Sequence, residues 1–223
     1  MKALVSAFLF LALLCSVSSA TGPDICLICK STNCSKTIIG GCMPGTRNKI
    51  CYSKIIDVPW KSGNKVQKIF NQLGCMSAEY CRPFKNTATL PDGGYIYMEV
   101  KCCNKVLCNK AISVPAQENR PLNGLVCPGC LTYIPNANQS CSSNTIVNCH
   151  GRENKCISYT GRLKIRGQYY SPLSFKGCAT KNLCDLLTGA TEEGSDLLQP
   201  SDTTEAECSP AEYPDEEEPS PEQ

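Results

Sequence analysis

The chain has 223 residues, of which 19 are cysteines and one is a histidine, and its formal net charge is +2. Residues 21–190 carry 21 positive and 8 negative charges, a net of +13, whereas residues 191–223 carry 12 negative charges and no positive one. Because the lysines and arginines are not interleaved with aromatic residues, we expect no nucleic-acid partner.

Residues 1–20 have the layout of a cleaved secretory signal. An apolar run from Ala3 to Leu14 is followed by small residues that end at Ala20. The run is too short to span a bilayer, and the acidic, proline-rich C-terminus lacks the hydrophobic tail of a lipid-anchor signal. We therefore expect a secreted, extracellular protein without a membrane anchor, whose mature chain begins near Thr21.

The eighteen cysteines beyond residue 20 indicate disulfides, because their number is even and the chain is exported. Zinc is the alternative, since Cys26–Cys29 and Cys127–Cys130 have the two-residue gap of metal knuckles. Neither half contains a second such knuckle, and the chain has a single histidine. We therefore predict no metal and no cofactor.

The cysteine spacing is repeated along the chain, which indicates a tandem duplication. Three intervals recur unchanged: 3 residues from the first to the second cysteine, 8 from the third to the fourth, and 6 from Cys75 to Cys81 and from Cys178 to Cys184. Proline and glycine between the copies indicate a linker. The predicted organisation is a first unit at 21–112, a linker at 113–124, a second unit at 125–190 with a possible extension to residue 208, and a disordered acidic tail at 191–223.

Between the cysteines, the pattern of apolar residues predicts β-strands. The stretch 93–102, GGYIYMEVKC, and the stretch 161–170, GRLKIRGQYY, both alternate apolar and polar side chains. No helical pattern of useful length precedes the tail. The predicted fold class is therefore all-β and disulfide-rich, with small sheets of long hairpins that start from a cysteine knot.

The first unit resembles the three-finger domain of the lymphocyte-antigen-6 and urokinase-receptor family. The resemblance lies in CLIC at 26–29, CMSAEYC at 75–81 and CCNKVLCN at 102–109. It implies a closing role for Asn109, whose side chain would hydrogen-bond the backbone of the cysteine-rich core. It also implies five disulfides: Cys26–Cys51, Cys29–Cys34, Cys42–Cys75, Cys81–Cys102 and Cys103–Cys108.

The second unit, with NGLVCPGC at 123–130, HGRENKC at 150–156 and FKGCATKNLC at 175–184, is similar to the second domain of gamma-type phospholipase A2 inhibitors. Those proteins are secreted and contain two three-finger domains in tandem. The similarity ends near Leu187, where acidic, loop-like sequence replaces the third finger. The similarity implies four pairs: Cys127–Cys156, Cys130–Cys141, Cys149–Cys178 and Cys184–Cys208. Because the similarity ends before Cys208, a free or intermolecular thiol at that residue is an alternative to its bond with Cys184.

Two groups of side chains are candidates for contact with a partner. Trp60, Lys61 and Lys65 fall at the predicted tip of the central finger of the first unit, where Trp60 is either an aromatic anchor or a packed strand residue. In the second unit, the basic residues share one strand face, which we interpret as a solvated edge in preference to a site for an acidic partner. These basic residues are Arg162, Lys164 and Arg166.

The remaining polar features have simple interpretations. We interpret the lone His150 as structural or solvated, and we predict no catalytic residue. Asn138 is a glycosylation acceptor in a predicted finger loop, whereas Asn33 is a weaker one because a half-cystine follows it. For the acidic tail, we favour a solvated segment over one that folds back on the basic body or binds a basic partner.

The resemblance implies a secreted, non-enzymatic binding protein that sequesters a secreted phospholipase A2, with a homo-oligomer as a further expectation. The alternative is an extracellular signalling ligand or a modulator of a cell-surface receptor, such as a courtship pheromone of the sodefrin-precursor type. The three-finger fold serves many functions, so the residues do not separate these two hypotheses.

Overall fold

The structure is a computed structural model of the chain. It describes residues 22–29, 34, 36–46, 48–62, 65–116, 119–133, 141–142, 145–165, 168–169, 172–192, 194–195, 197–201 and 204–214. At 59–62, 65–69 and 168–169 only the main chain is described. No helix in these ranges has the length and apolar character that a membrane crossing needs.

The first unit consists of three hairpins, which are the three fingers of the fold. Each hairpin is antiparallel, and the central one is the longest. A short 3-10 helix, Ala78–Tyr80, follows the central finger. The strands are β1 (Ile25–Cys29), β2 (Thr37–Gly41), β3 (Lys49–Ser62), β4 (Lys65–Ser77), β5 (Phe84–Thr89) and β6 (Tyr95–Cys103).

The second unit begins with two similar fingers and then departs from the pattern. Its first finger is β7–β8, and its central finger is β9–β12, with two short strands near the tip. The strands and the one helix are β7 (Leu122–Tyr133), β8 (Thr145–His150), β9 (Glu153–Gly161), β10 (Leu163–Ile165), β11 (Gln168–Tyr169), β12 (Leu173–Thr180), α1 (Lys181–Leu187), β13 (Leu198–Pro200) and β14 (Glu205–Pro210).

Nine disulfides link all eighteen cysteines beyond residue 20. Their partners are those that the resemblance implies, and Cys208 is bonded to Cys184. The predicted fold class, all-β and disulfide-rich, is confirmed. Helix α1 was not predicted, because its seven residues are too few to show a helical period.

The segment after Leu187 differs from the prediction of a disordered tail that begins at residue 191. Leu197 and Leu198 are buried in the core, and β13 pairs with β10. Strand β14 then pairs along β9 from Glu205 to Pro210. The sequence did not reveal these strands. Strand β13 has three residues, too few to show a period, and β14 is an exposed edge strand with one neighbour and no regular alternation of apolar and polar residues.

The two units share one β-sheet. Strand β12 of the second unit pairs with β5 of the first through Cys178 opposite Thr89 and Ala179 opposite Ala88. The same edge of β12 pairs with β7 further along, so β5 and β7 follow one another on that edge. At the junction a Cβ atom on Gly177 would lie 2.3 Å from the Thr89 carbonyl oxygen, so this close approach requires glycine.

The units also share one hydrophobic core. Ile56, Ile96 and Met98 of the first unit belong to the same buried cluster as Phe175 and Leu183 of the second. Tyr159 stacks on Phe175 with 5.0 Å between the ring centroids. Within the predicted linker at 113–124, Val114 packs beside Ile112 in a second cluster of the first unit, and β7 begins at residue 122. The described parts of the two units therefore form one folded body and not two independent ones.

Candidate partner-binding site

Asn109 closes the first unit through hydrogen bonds to three strands. Its side-chain carbonyl oxygen accepts from the Leu27 main-chain nitrogen at 3.0 Å. Its side-chain nitrogen donates to the main-chain carbonyls of Leu27, Tyr52 and Gly74, at 2.8, 3.0 and 3.3 Å. Because β1, β3 and β4 meet at this buried amide, the bases of two fingers are held at a fixed angle.

The predicted tip of the central finger is a hairpin of β3 and β4. Trp60 and Lys61 lie in β3, Lys65 begins β4, and the last pair before the turn is Ser62 opposite Lys65. The side chains of Trp60, Lys61 and Lys65 lie outside the described residues, so the two interpretations of Trp60 stand as they were.

The predicted basic strand of the second unit is divided between a turn and a short sheet. Arg162 lies between β9 and β10 with an exposed side chain, and its carbonyl accepts hydrogen bonds from the Tyr159 hydroxyl and the Ser201 nitrogen, both at 3.0 Å. Lys164 lies in β10, where β11 and β13 flank it, so this strand is not a sheet edge. Arg166 and the glycosylation acceptor Asn138 lie outside the described residues.

An exposed apolar surface covers the first finger, and we name it the first-finger surface. Met43 is 77% exposed and Ile39 is 66% exposed. Ile25 pairs along β1–β2 with Gly41, and its carbonyl accepts from Leu107, which places Val106 beside it. Among the described residues, five of the nine exposed large apolar side chains lie on the first finger or in the loop beside it: Ile25, Ile38, Ile39, Met43 and Val106. Ile38 and Ile39 are successive residues of β2, so their side chains point to opposite faces of this hairpin. A concentration of this kind is typical of a partner-binding site.

A cleft of about 480 Å³ lies where the two units meet. Strand β5 contributes Lys85 and Thr87, β6 contributes Tyr95, the connecting segment contributes Arg120, and the turn between β8 and β9 contributes Arg152. The Arg120 guanidinium carbon lies 3.7 Å from the centroid of the Tyr95 ring. Three cationic side chains therefore line a recess that exists only because the units are docked.

Glu153 forms the buried wall of this cleft. The Thr87 hydroxyl donates to one carboxyl oxygen at 2.7 Å, and the His150 main-chain nitrogen donates to the other at 3.1 Å. Burial raises the pKa of Glu153 above its usual value, although these two donors partly oppose the rise. Thr180 reinforces the contact between the units, because its hydroxyl accepts from the Thr87 nitrogen at 3.2 Å.

The surroundings of His150 fit a structural role and not a catalytic one. Its ring nitrogen Nδ1 lies 2.7 Å from the carbonyl oxygen of Arg120. Since a carbonyl only accepts, Nδ1 carries the proton, and the ring ties the connecting segment to the β8–β9 turn. In a hydrolytic triad a carboxylate would orient the ring; here the Glu153 carboxylate binds the main-chain nitrogen of His150.

The sequence did not reveal the cleft or the first-finger surface. Lys85 and Arg152 are 67 residues apart in the chain, and the pairing of β5 with β12 brings them together. The first-finger surface did leave a signal, because Ile38 and Ile39 stand between Cys34 and Cys42 in a finger too short to bury both. The position of apolar residues within a short finger was therefore a better guide to this candidate binding surface than the position of charged residues.

The fold and these surfaces define a disulfide-bonded, two-unit β-protein with its candidate binding residues on fingers and at the junction. The sequence profile of the u-PAR/Ly-6 domain matches residues 25–111 and 123–211. The chain belongs to the u-PAR/Ly-6 domain family, as the resemblance implied. The second match extends past Cys208, in agreement with the folded segment that follows Leu187.

Three relatives illustrate the similarity. Phospholipase A2 inhibitor NAI of Notechis ater is 40% identical over 87 residues, 38% of this chain and 40% of the inhibitor. The phospholipase A2 inhibitor 25 kDa subunit of Naja kaouthia is 30% identical over 139 residues, 61% of this chain and 69% of that protein. The urokinase plasminogen activator surface receptor of Bos taurus is 36% identical over 90 residues, 40% of this chain and 25% of the receptor. The chain thus spans about two fifths of the length of the Notechis ater inhibitor and a quarter of the length of the receptor.

Proposed function

We propose that this chain is a secreted, non-enzymatic binding protein that inhibits a secreted phospholipase A2 by sequestering it. One observation supports the proposal above all others. Relatives named as phospholipase A2 inhibitors match the chain at 30 to 41% identity, and one of these matches extends over 139 residues, more than a single unit.

The fold suits inhibition by binding because it presents surfaces on a rigid frame. Nine disulfides and a core common to both units limit the freedom that the protein would lose on association. The first-finger surface supplies exposed aliphatic side chains that a partner would bury, and burial of apolar area is the main favourable contribution at the centre of an interface. We assign the phospholipase contact to this surface, with the central finger tip as a second contact.

The chemistry of the described cysteines and of the histidine supports the non-enzymatic part of the proposal. All eighteen cysteines beyond residue 20 are in disulfides, so no described thiol is available as a nucleophile. The ring of the only histidine is held by a main-chain carbonyl. The chain would therefore act by occupying its partner's surface, which predicts a stoichiometric effect without turnover.

The test is to mix the purified, oxidised protein with a secreted phospholipase A2 and to measure both binding and phospholipid hydrolysis at physiological salt. We expect a complex by light scattering, and hydrolysis that falls in proportion to the molar ratio until the enzyme is saturated. The same light-scattering run on the protein alone measures whether it is a homo-oligomer. Absence of a complex together with unchanged hydrolysis by several secreted phospholipases would refute the proposal.

The second candidate function is an extracellular signalling ligand or a modulator of a cell-surface receptor. The similarity to the Bos taurus urokinase plasminogen activator surface receptor favours it, because the name of that relative describes a protein of the cell surface. Saturable binding of the labelled protein to intact cells, in the absence of any phospholipase complex, is the result that would select this function, including a pheromone role.

A further inference from the structure

The cleft between the units carries an arrangement of charge outside the surfaces to which we assign the phospholipase contact. Lys85, Arg120 and Arg152 line it, and among the described lining residues the only carboxylate is that of Glu153. Glu153 is fully buried, and both of its oxygens already accept hydrogen bonds. Two of the cations rest on aromatic rings and not on a carboxylate: Arg120 on Tyr95, and Lys85 with its ammonium 5.4 Å from the centroid of Tyr97.

The same three cations form no ion pair with a described residue. Within 4.0 Å the structure pairs Lys49 with Asp24, Lys101 with Glu99, and Lys181 with Asp185. In contrast, the Nε atom of Arg120 is buried and has no hydrogen-bond partner in the described part of the chain. A buried donor without a partner is costly, and it marks a place where an acceptor would be stabilising.

We propose that this cleft binds a phosphate monoester. The described lining holds three cations against one carboxylate, and a phosphate monoester close to its dianionic form would balance this excess of positive charge. A singly charged carboxylate ligand would balance less of it. The volume of about 480 Å³ accommodates the phosphate together with a small organic group.

The position of Arg120 prepares the site for such a ligand. Its guanidinium is stacked on Tyr95, and its NH1 nitrogen lies 3.4 Å from the Thr89 hydroxyl, so the planar group is held in one orientation before a ligand arrives. A fixed guanidinium forms paired hydrogen bonds to phosphate oxygens with little further loss of freedom. Arg152, exposed on the β8–β9 turn, also lines the cleft and would donate hydrogen bonds to the same ligand.

The experiment is calorimetric titration of the mature protein with glycerol 3-phosphate at physiological salt. We expect saturable binding at one site per chain. Arg152→Gln should weaken it at least roughly tenfold, since a charge-assisted hydrogen bond to phosphate is lost. Arg120→Gln should do the same, and because Arg152 is exposed, its variant keeps the test valid even if the Arg120 variant folds poorly.

Arg82→Gln is the matched control, because Arg82 is an exposed arginine of the first unit that does not line this cleft. It should leave the affinity unchanged. Equal weakening by Arg82→Gln and Arg152→Gln would overturn the proposal, because it would show attraction to the net charge of the protein only. The absence of saturable binding to the unmodified protein would also overturn it.

A second experiment with lipid vesicles distinguishes two sources of the phosphate monoester, a lipid headgroup and a soluble molecule. Vesicles of phosphatidylcholine with phosphatidic acid present the same group on a lipid. Retention of the protein on these vesicles, lost in Arg152→Gln, identifies a lipid headgroup as the source. Binding of glycerol 3-phosphate without retention identifies a soluble one, and both outcomes support the site.

Discussion

The Thr87 hydroxyl of the first unit donates a 2.7 Å hydrogen bond to the buried carboxylate of Glu153 in the second unit. The two residues are 66 positions apart in the chain. Their contact lies beside the place where β5 pairs with β12, so the packing of the two units depends on the protonation state of the Glu153 carboxyl group.

Glu153 should make stability depend on pH. Burial raises its folded pKa above the usual value of 4.5, so between the unfolded and the folded pKa the folded chain binds more protons than the unfolded chain. The free energy of unfolding contributed by this group is therefore fully present below about pH 4 and is lost as pH rises through the folded pKa. Glu153→Gln, measured by denaturant unfolding from about pH 4 to about pH 8, should remove this loss. The exposed Glu207→Gln should keep it, and an identical pH slope in all three proteins would contradict the prediction.

The shared sheet and core predict that the two units unfold together. Gly177→Ala would place a Cβ atom 2.3 Å from the Thr89 carbonyl and force β5 away from β12. We expect a loss of about 1 to 3 kcal/mol and, in the variant, separate transitions for the two units. Gly41→Ala is the control, because its added carbon would meet no atom closer than 3.8 Å. Calorimetry should show one transition in the parent protein; two there would argue against a common core.

Asn109→Asp should destabilise the first unit severely. The substitution replaces the amide nitrogen with a carboxylate oxygen that faces three main-chain carbonyls, those of Leu27, Tyr52 and Gly74. We expect a loss of about 3 kcal/mol or more in the free energy of unfolding at neutral pH. Asn104→Asp introduces the same charge at an exposed position of the adjacent Cys103–Cys108 loop and should change stability little. Comparable denaturation midpoints for the two variants would rule out the closing role of Asn109.

Removal of the Cys184–Cys208 disulfide should free the end of the second unit. This bond closes a loop with a sequence separation of 24, compared with 5 for Cys103–Cys108. Loop entropy alone predicts that replacing both cysteines with alanine lowers the free energy of unfolding by about 3 kcal/mol for Cys184–Cys208 and by about 2 kcal/mol for Cys103–Cys108. Hydrogen exchange should rise in β14 and along its partner β9. Unchanged protection in β14 would show that strand pairing alone holds it.

The first-finger surface should determine affinity for a phospholipase. The double substitution Ile39→Ser and Met43→Ser removes two exposed apolar side chains from one finger and should weaken the complex at least roughly tenfold. Ile146→Ser is the matched control, since Ile146 is 74% exposed but belongs to the second unit. Inhibition that falls only in the Ile146 variant would place the contact on the second unit instead.

The sequence by itself determined the repeat, the disulfide class and the β-structure of this protein. Cysteine spacing is a local pattern, and so is the alternation along β6 of Ile96 and Met98 with Tyr95, Tyr97 and Glu99. Such patterns can be recognised in the sequence because they depend only on residues that are near one another in the chain. The resemblance, carried by CCNKVLCN, supplied the disulfide partners and the role of Asn109.

Only the tertiary structure decided how the two units combine. The pairing of β5 with β12, the cleft lined by Lys85, Arg120 and Arg152, and the burial of Leu198 all depend on residues distant in the chain. An acidic segment around Leu198 looks solvated because charge dominates its composition, yet a few leucines are enough to anchor it once a core from both units is available. Long-range packing, which no local period records, therefore joins two three-finger units into a single body.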